Sequence, residues 1–163
     1  KMVSRVRRDT RYTHDKHLYR ENMWIMFMRP KKEWRMYPCM WFEVTSSAWS
    51  CGVGTFETSA DYMEVFREHL RNDPQGFKKA ARSALGTGAV LDAECYKRPK
   101  PGCPAGLEDF YNAKYFYFIF SSDELSAIES DEIITRLEGI YKKFAPMYKF
   151  LRDVSDDYFK THQ

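Results

Sequence analysis

The run Tyr115-Phe-Tyr-Phe-Ile-Phe120 most constrains what this chain can fold into. These are six consecutive apolar or aromatic side chains with no polar face to offer to water. A run this short, made of residues that suit a pleated surface, is expected to be a strand buried on both sides and so central in its sheet. A sheet containing such a strand needs partners beside it and cover above it, and the rest of the chain supplies both.

Met23 to Met28 is a second short apolar run, closed by Arg29-Pro30, and predicts another buried strand. Pro30 to Arg35 reads as a basic loop or a single helical turn. From Cys39 to Thr45 the pattern alternates, with Met40, Phe42 and Val44 on one face and Cys39, Trp41, Glu43 and Thr45 on the other. Ser46, Ser47 and Ser50 surround a turn, and Cys51 to Phe56 predicts the return strand of a hairpin. Gly52 and Gly54 fall on one side of that strand and leave a bare stripe, suited to a bulge or to close approach by another group.

Helical spacing takes over elsewhere. Thr58 or Ser59 can cap a helix over residues 60–71 with Tyr62, Val65, Phe66, His69 and Leu70 as its stripe. Asn72-Asp73-Pro74 ends it and opens a second helix, which closes at Gly86 and Gly88. Cys95 to Gly106, with Pro99, Pro101 and Pro104, predicts an extended loop. Ser121 or Ser122 caps a short segment at 123–128, and Ser130 caps a long helix from Asp131. Its stripe runs through Ile133, Ile134, Leu137, Ile140, Tyr141 and Phe144, then Met147, Phe150, Leu151 and Val154. Pro146 is expected to kink or divide that helix near Lys142–Phe144. Strands first and in the middle, with helices at 60–85 and 123–159, give an α+β class: a mostly antiparallel sheet with helices packed mainly on one face.

A length of 163 residues suits a single domain over 1–163. With 44% apolar and 30% charged residues the chain is not disordered, and a net charge of +3 is too small for a dedicated nucleic-acid face. There is no apolar run long enough for a membrane helix and no secretory signal. Cys39, Cys51, Cys95 and Cys103 lack zinc spacing and read as free thiols of a cytoplasmic protein, although a disulfide stays open. The chain begins abruptly at Lys1, so a preceding segment is expected.

The densest charge lies in Arg5, Arg8, Asp9, Arg11, Asp15 and Lys16. Guanidinium forks grip phosphate or carboxylate through paired hydrogen bonds, and Asp9 can orient a fork or act as a base. Two readings follow: a pocket for a small phosphorylated or carboxylated ligand, or an internal ion-pair network that fixes a loop. Trp41 and Glu43 share a strand face opposite the glycine stripe and could supply a stacking wall and a second candidate base. The alternative is an ordinary sheet face under a helix. Beyond His14, Asp15 and His17 the sequence assigns no further protein ligand, and structural zinc needs four, so no metal is assigned and no cofactor is called for. Lys97 and Arg98 could close over an anion or simply be solvated. Arg29, Lys31, Lys32 and Arg35 with Trp34 could hold single-stranded nucleic acid, but a solvated face fits better with the near-balanced charge. No Walker A loop, G-x-G-x-x-G, G-x-S-x-G or H-E-x-x-H is present, and Cys51 has no partner histidine, so enzyme status and oligomeric state stay open.

Arg5, Arg8, Asp9, Arg11, Tyr12, Lys16 and Tyr19 fall on the pattern R-x-x-R-D-x-R-[FY]-x-x-x-K-x-x-Y. In this the chain resembles the bacterial domain-of-unknown-function family 2461. Further similar segments are the Gly52/Gly54 strand before a capped helix, Lys97-Arg98-Pro99 leading to Gly102, and Ala145-Pro146 before Phe150-Leu151. Leu18 departs from the family's usual proline. The resemblance implies an α+β domain, an additional helical N-terminal segment and no established activity. Tyr19 joins the candidate ligand-binding residues Arg5, Arg8, Arg11, Lys16 and Trp41. The second functional reading is a non-catalytic protein-interaction domain.

Overall fold

The computed structural model describes residues 2–12, 14, 17–30 and 35–162. Five strands form one antiparallel sheet: β1 (Asn22–Phe27), β2 (Pro38–Thr45), β3 (Trp49–Thr55), β4 (Val90–Cys95) and β5 (Ala113–Ser122), in the order β1-β2-β3-β5-β4. The α-helices are α1 (Ala60–Asn72), α2 (Pro74–Leu85), α3 (Glu108–Tyr111) and α4 (Glu132–Thr161), with a 3-10 turn at Leu125–Glu129. The expected α+β class is what the chain adopts.

The aromatic run lies in β5, an interior strand between β3 and β4, but it is buried on one side only: Tyr117 and Ile119 lie on the face the helices leave uncovered. Phe116 and Phe118 are buried on the helix side, packed with Phe66, Phe77 and Phe110 in mostly edge-to-face contacts. Trp49, Cys51 and Val53 of β3 face the same core, as do Phe144, Met147, Leu151 and Val154 of α4. Met40, Phe42 and Val44 of β2 pack against its border. All of these β2 and β3 positions are alternate residues, so the helices cover one side of the sheet and the intervening residues form the other.

Local chemistry sets the helix ends. Ser59 accepts the Tyr62 amide at 3.0 Å and starts α1. Asp73 accepts the Gly76 amide at 2.8 Å, and Pro74 occupies the first turn of α2. Inside, the fully buried Tyr62 hydroxyl lies 3.2 Å from Ser155 Oγ and 3.4 Å from Thr55 Oγ1, joining α1, α4 and β3. Burial pushes its pKa upward, so it works as a neutral hydrogen-bonding group. Tyr62→Phe keeps the ring volume but strands its partners. It is expected to lower the unfolding free energy by about 1–2 kcal/mol, read as a shift in the urea midpoint.

Two expectations need correction, and one is met with additions. β1 is an edge strand with alternating exposure rather than a buried one, because α4 packs over β2 and β3 and leaves Met23, Ile25 and Phe27 uncovered. Pro146 does not divide α4, which runs without interruption from Glu132 to Thr161. The buried Phe144 and Met147 anchor the helix on both sides of it, and packing there outweighs one missing amide. The proline-rich loop is flanked by elements that were not expected, β4 before it and the single turn α3 after it.

Candidate functional site

Residues 2–8 run antiparallel along β1 and the residues leading into it. The Ser4 amide donates to the Trp24 carbonyl at 2.9 Å, Met26 to Met2 at 2.7 Å, Arg20 to Val6 at 3.1 Å and Arg8 to Leu18 at 3.0 Å. Ser4 is buried, and its Oγ accepts the Trp24 amide at 3.1 Å. This short ladder fixes the backbone that carries the arginines.

Arg5, Arg7, Arg8, Arg11 and Arg20, with Asp9 and Thr10, line a cavity of about 580 Å³. Asp9 and Arg11 form a bidentate pair, Nε to Oδ1 at 2.9 Å and Nη2 to Oδ2 at 2.6 Å. The Arg11 hydrogen bonds hold the Asp9 carboxyl down at about 2. That suits Asp9 to orienting a guanidinium. Arg5, Arg7 and Arg20 form no ion pair among the described residues. Arg7 and Arg20 were not singled out in the sequence, because only the pairing of two segments brings them to the cluster. Tyr19 bridges Arg7 through its backbone, with an exposed side chain outside the cavity lining. Asp15 and Lys16 lie outside the described residues.

Trp41 and Glu43 lie elsewhere, on the sheet face that the helices leave uncovered. Together with Trp24, Met26, Cys39, Phe56, Asp92, Tyr117 and Ile119 they line a recess of about 430 Å³. The arginine cavity shares no described residue with it, and Arg8 and Arg11 line the one while Glu43 lines the other. The glycine stripe is filled from within. A Cβ on Gly52 would lie 2.2 Å from Trp41 Cζ2, and one on Gly54 would lie 2.4 Å from Tyr117 Cδ1. The two rings meet edge to face, 5.8 Å apart at 87°. Glu43 accepts a hydrogen bond from the Asn22 amide group, and the Tyr141 hydroxyl donates to the Trp41 carbonyl at 2.9 Å. Burial raises the Cys39 thiol to about 11 and the Cys51 thiol to about 12, so neither is a ready nucleophile at neutral pH.

The remaining candidates are dispersed. His14 and His17 are exposed, and among the described residues no group of three or more His, Cys, Asp or Glu side chains could hold a metal. Lys97 and Arg98 lie with Tyr96, Lys100 and Lys114 around an open basic surface, where Lys114 pairs with Glu94. Arg29 stacks 4.0 Å over the Tyr37 ring, and Arg35 pairs with Glu57 at 3.1 Å. Lys31, Lys32 and Trp34 lie outside the described residues.

One buried cation had not been anticipated. Arg67 is 2% exposed and donates to the carbonyls of Tyr111 at 2.8 Å and Ala113 at 3.2 Å, with Glu64 at 3.3 Å. Its spacing from Met63 and Leu70 places it on the buried face of α1, which was the available sequence signal.

No helix among the described residues is long and apolar enough to cross a membrane. No curated protein and no solved structure is significantly similar to the chain. Residues 1–150 match the family described as conserved hypothetical protein DUF2461, with the arginine signature inside the matched span, and the chain belongs to that family.

Proposed function

We propose that this chain binds a small polyanion, phosphorylated or carboxylated, at the arginine cavity. The observation that supports it is the charge of the lining among the described residues: five guanidinium groups and one carboxylate, which Arg11 engages. Arg5, Arg7 and Arg20 supply forks matched to phosphate or carboxylate oxygens. Chemistry on the bound ligand is not required by this arrangement, so binding is the core of the proposal. The family resemblance and the four free thiols support placing it in a bacterial cytoplasm as one folded domain.

A second reading, a protein-interaction domain with a structural arginine motif, is favoured by the exposed apolar residues Val3, Val6, Ile25 and Phe27 beside the cluster. Calorimetric titration with pyrophosphate and with citrate separates the two. Anion binding predicts saturation that weakens with added salt, and a loss of about tenfold or more in the Arg5→Ala/Arg20→Ala variant with an unchanged melting temperature. Absence of saturation by either probe, with Arg8→Ala lowering the melting temperature, would replace the anion site with the structural one.

A further inference from the structure

We infer that the recess on the uncovered sheet face binds a small organic cation, an alkylated ammonium group on a compact apolar body. It is a different site from the arginine cavity and takes a ligand of opposite charge, so failure of one reading leaves the other standing.

The recess is built rather than left over. Gly52 and Gly54 let the Trp41 and Tyr117 rings sink onto β3, and no larger residue could occupy either glycine position with those rings in place. The rings stand at 87° to one another, forming two perpendicular walls, and Trp24 lines the same space from β1. Aromatic faces carry partial negative charge and attract alkylated cations, which shed water easily. Glu43 and Asp92 add formal negative charge, while no Lys, Arg or His is among the described lining residues. The described lining therefore favours a cation over an anion. Glu43 is held in place by Asn22, and Asp92 forms no ion pair among the described residues, which leaves its charge available to a ligand. A volume of about 430 Å³ is in the range of small-ligand pockets.

The experiment is titration with choline, in parallel with its neutral isostere in which carbon replaces the quaternary nitrogen, followed by the indole NMR signals of Trp24 and Trp41. Saturable choline binding that shifts both signals is expected, with the isostere weaker by about tenfold or more. Asp92→Asn lies on an exposed position of β4, away from the core, so it tests charge without threatening folding. It is expected to weaken choline by about tenfold, and Trp41→Leu by more. Equal binding of choline and the isostere, unchanged affinity in Asp92→Asn, or no saturation by choline would each overturn the assignment.

Discussion

Gly52→Ala is expected to lower the melting temperature by about 5–10 °C, from a loss of roughly 2–3 kcal/mol. The added methyl would lie 2.2 Å from Trp41 Cζ2 and 2.7 Å from the Phe118 carbonyl oxygen. The first contact can be relieved only by moving an indole, and the second only by moving the backbone of the neighbouring strand. Alanine would stiffen the unfolded chain in favour of folding, but by less than about 1 kcal/mol. Steric conflict therefore decides the sign. Differential scanning calorimetry gives the size of the loss, and the near-ultraviolet circular dichroism of Trp41 shows whether the ring has left its place. An unchanged melting temperature would mean that the indole has an equally good alternative position, and that the recess is not held by this contact.

Arg67→Ala is expected to cost still more, about 3–5 kcal/mol. The substitution removes a side chain that is 2% exposed and leaves the carbonyls of Tyr111 and Ala113 without the donors that satisfy them. Arg67→Lys recovers only part of this, because one ammonium cannot reproduce the fork that donates Nε to one carbonyl and Nη2 to the other. Guanidinium chloride unfolding of both variants checks the order: wild type above lysine, lysine above alanine. Equal stability of the lysine and alanine variants would show that charge without fork geometry contributes nothing at this position.

Elements whose signal is local were legible in the sequence. Ser59 and Asp73 mark the starts of α1 and α2 with side chains that act within three residues. The alternation of β2 sorted Met40, Phe42 and Val44 from Trp41 and Glu43 correctly, since the pleat fixes it without reference to the rest of the chain. Elements that depend on distant partners were not legible. β4 carries Asp92 and Glu94 between its apolar residues and is short, so only its pairing with β5 reveals it as a strand. Pro146 announced a kink or a division, and division is what the packing of Phe144 and Met147 overrides. At the candidate sites the arginine signature was visible, and so were Trp41 and Glu43. Their membership of separate cavities was not, because it follows from the strand order and from which face the helices cover.

The place of α4 in the chain has a consequence during synthesis. It follows every strand, yet its Phe144, Met147, Leu151 and Val154 complete the core beneath β2 and β3. The Tyr37 hydroxyl reaches forward to Asp156 at 2.8 Å across 119 residues. While the chain emerges from a ribosome, α1 and α2 can therefore cover β5 as soon as it appears, whereas β2 and β3 keep part of their inner face bare until α4 follows. Until then the nascent polypeptide leaves Trp49, Cys51 and Val53 of β3 without the α4 side chains that complete their core.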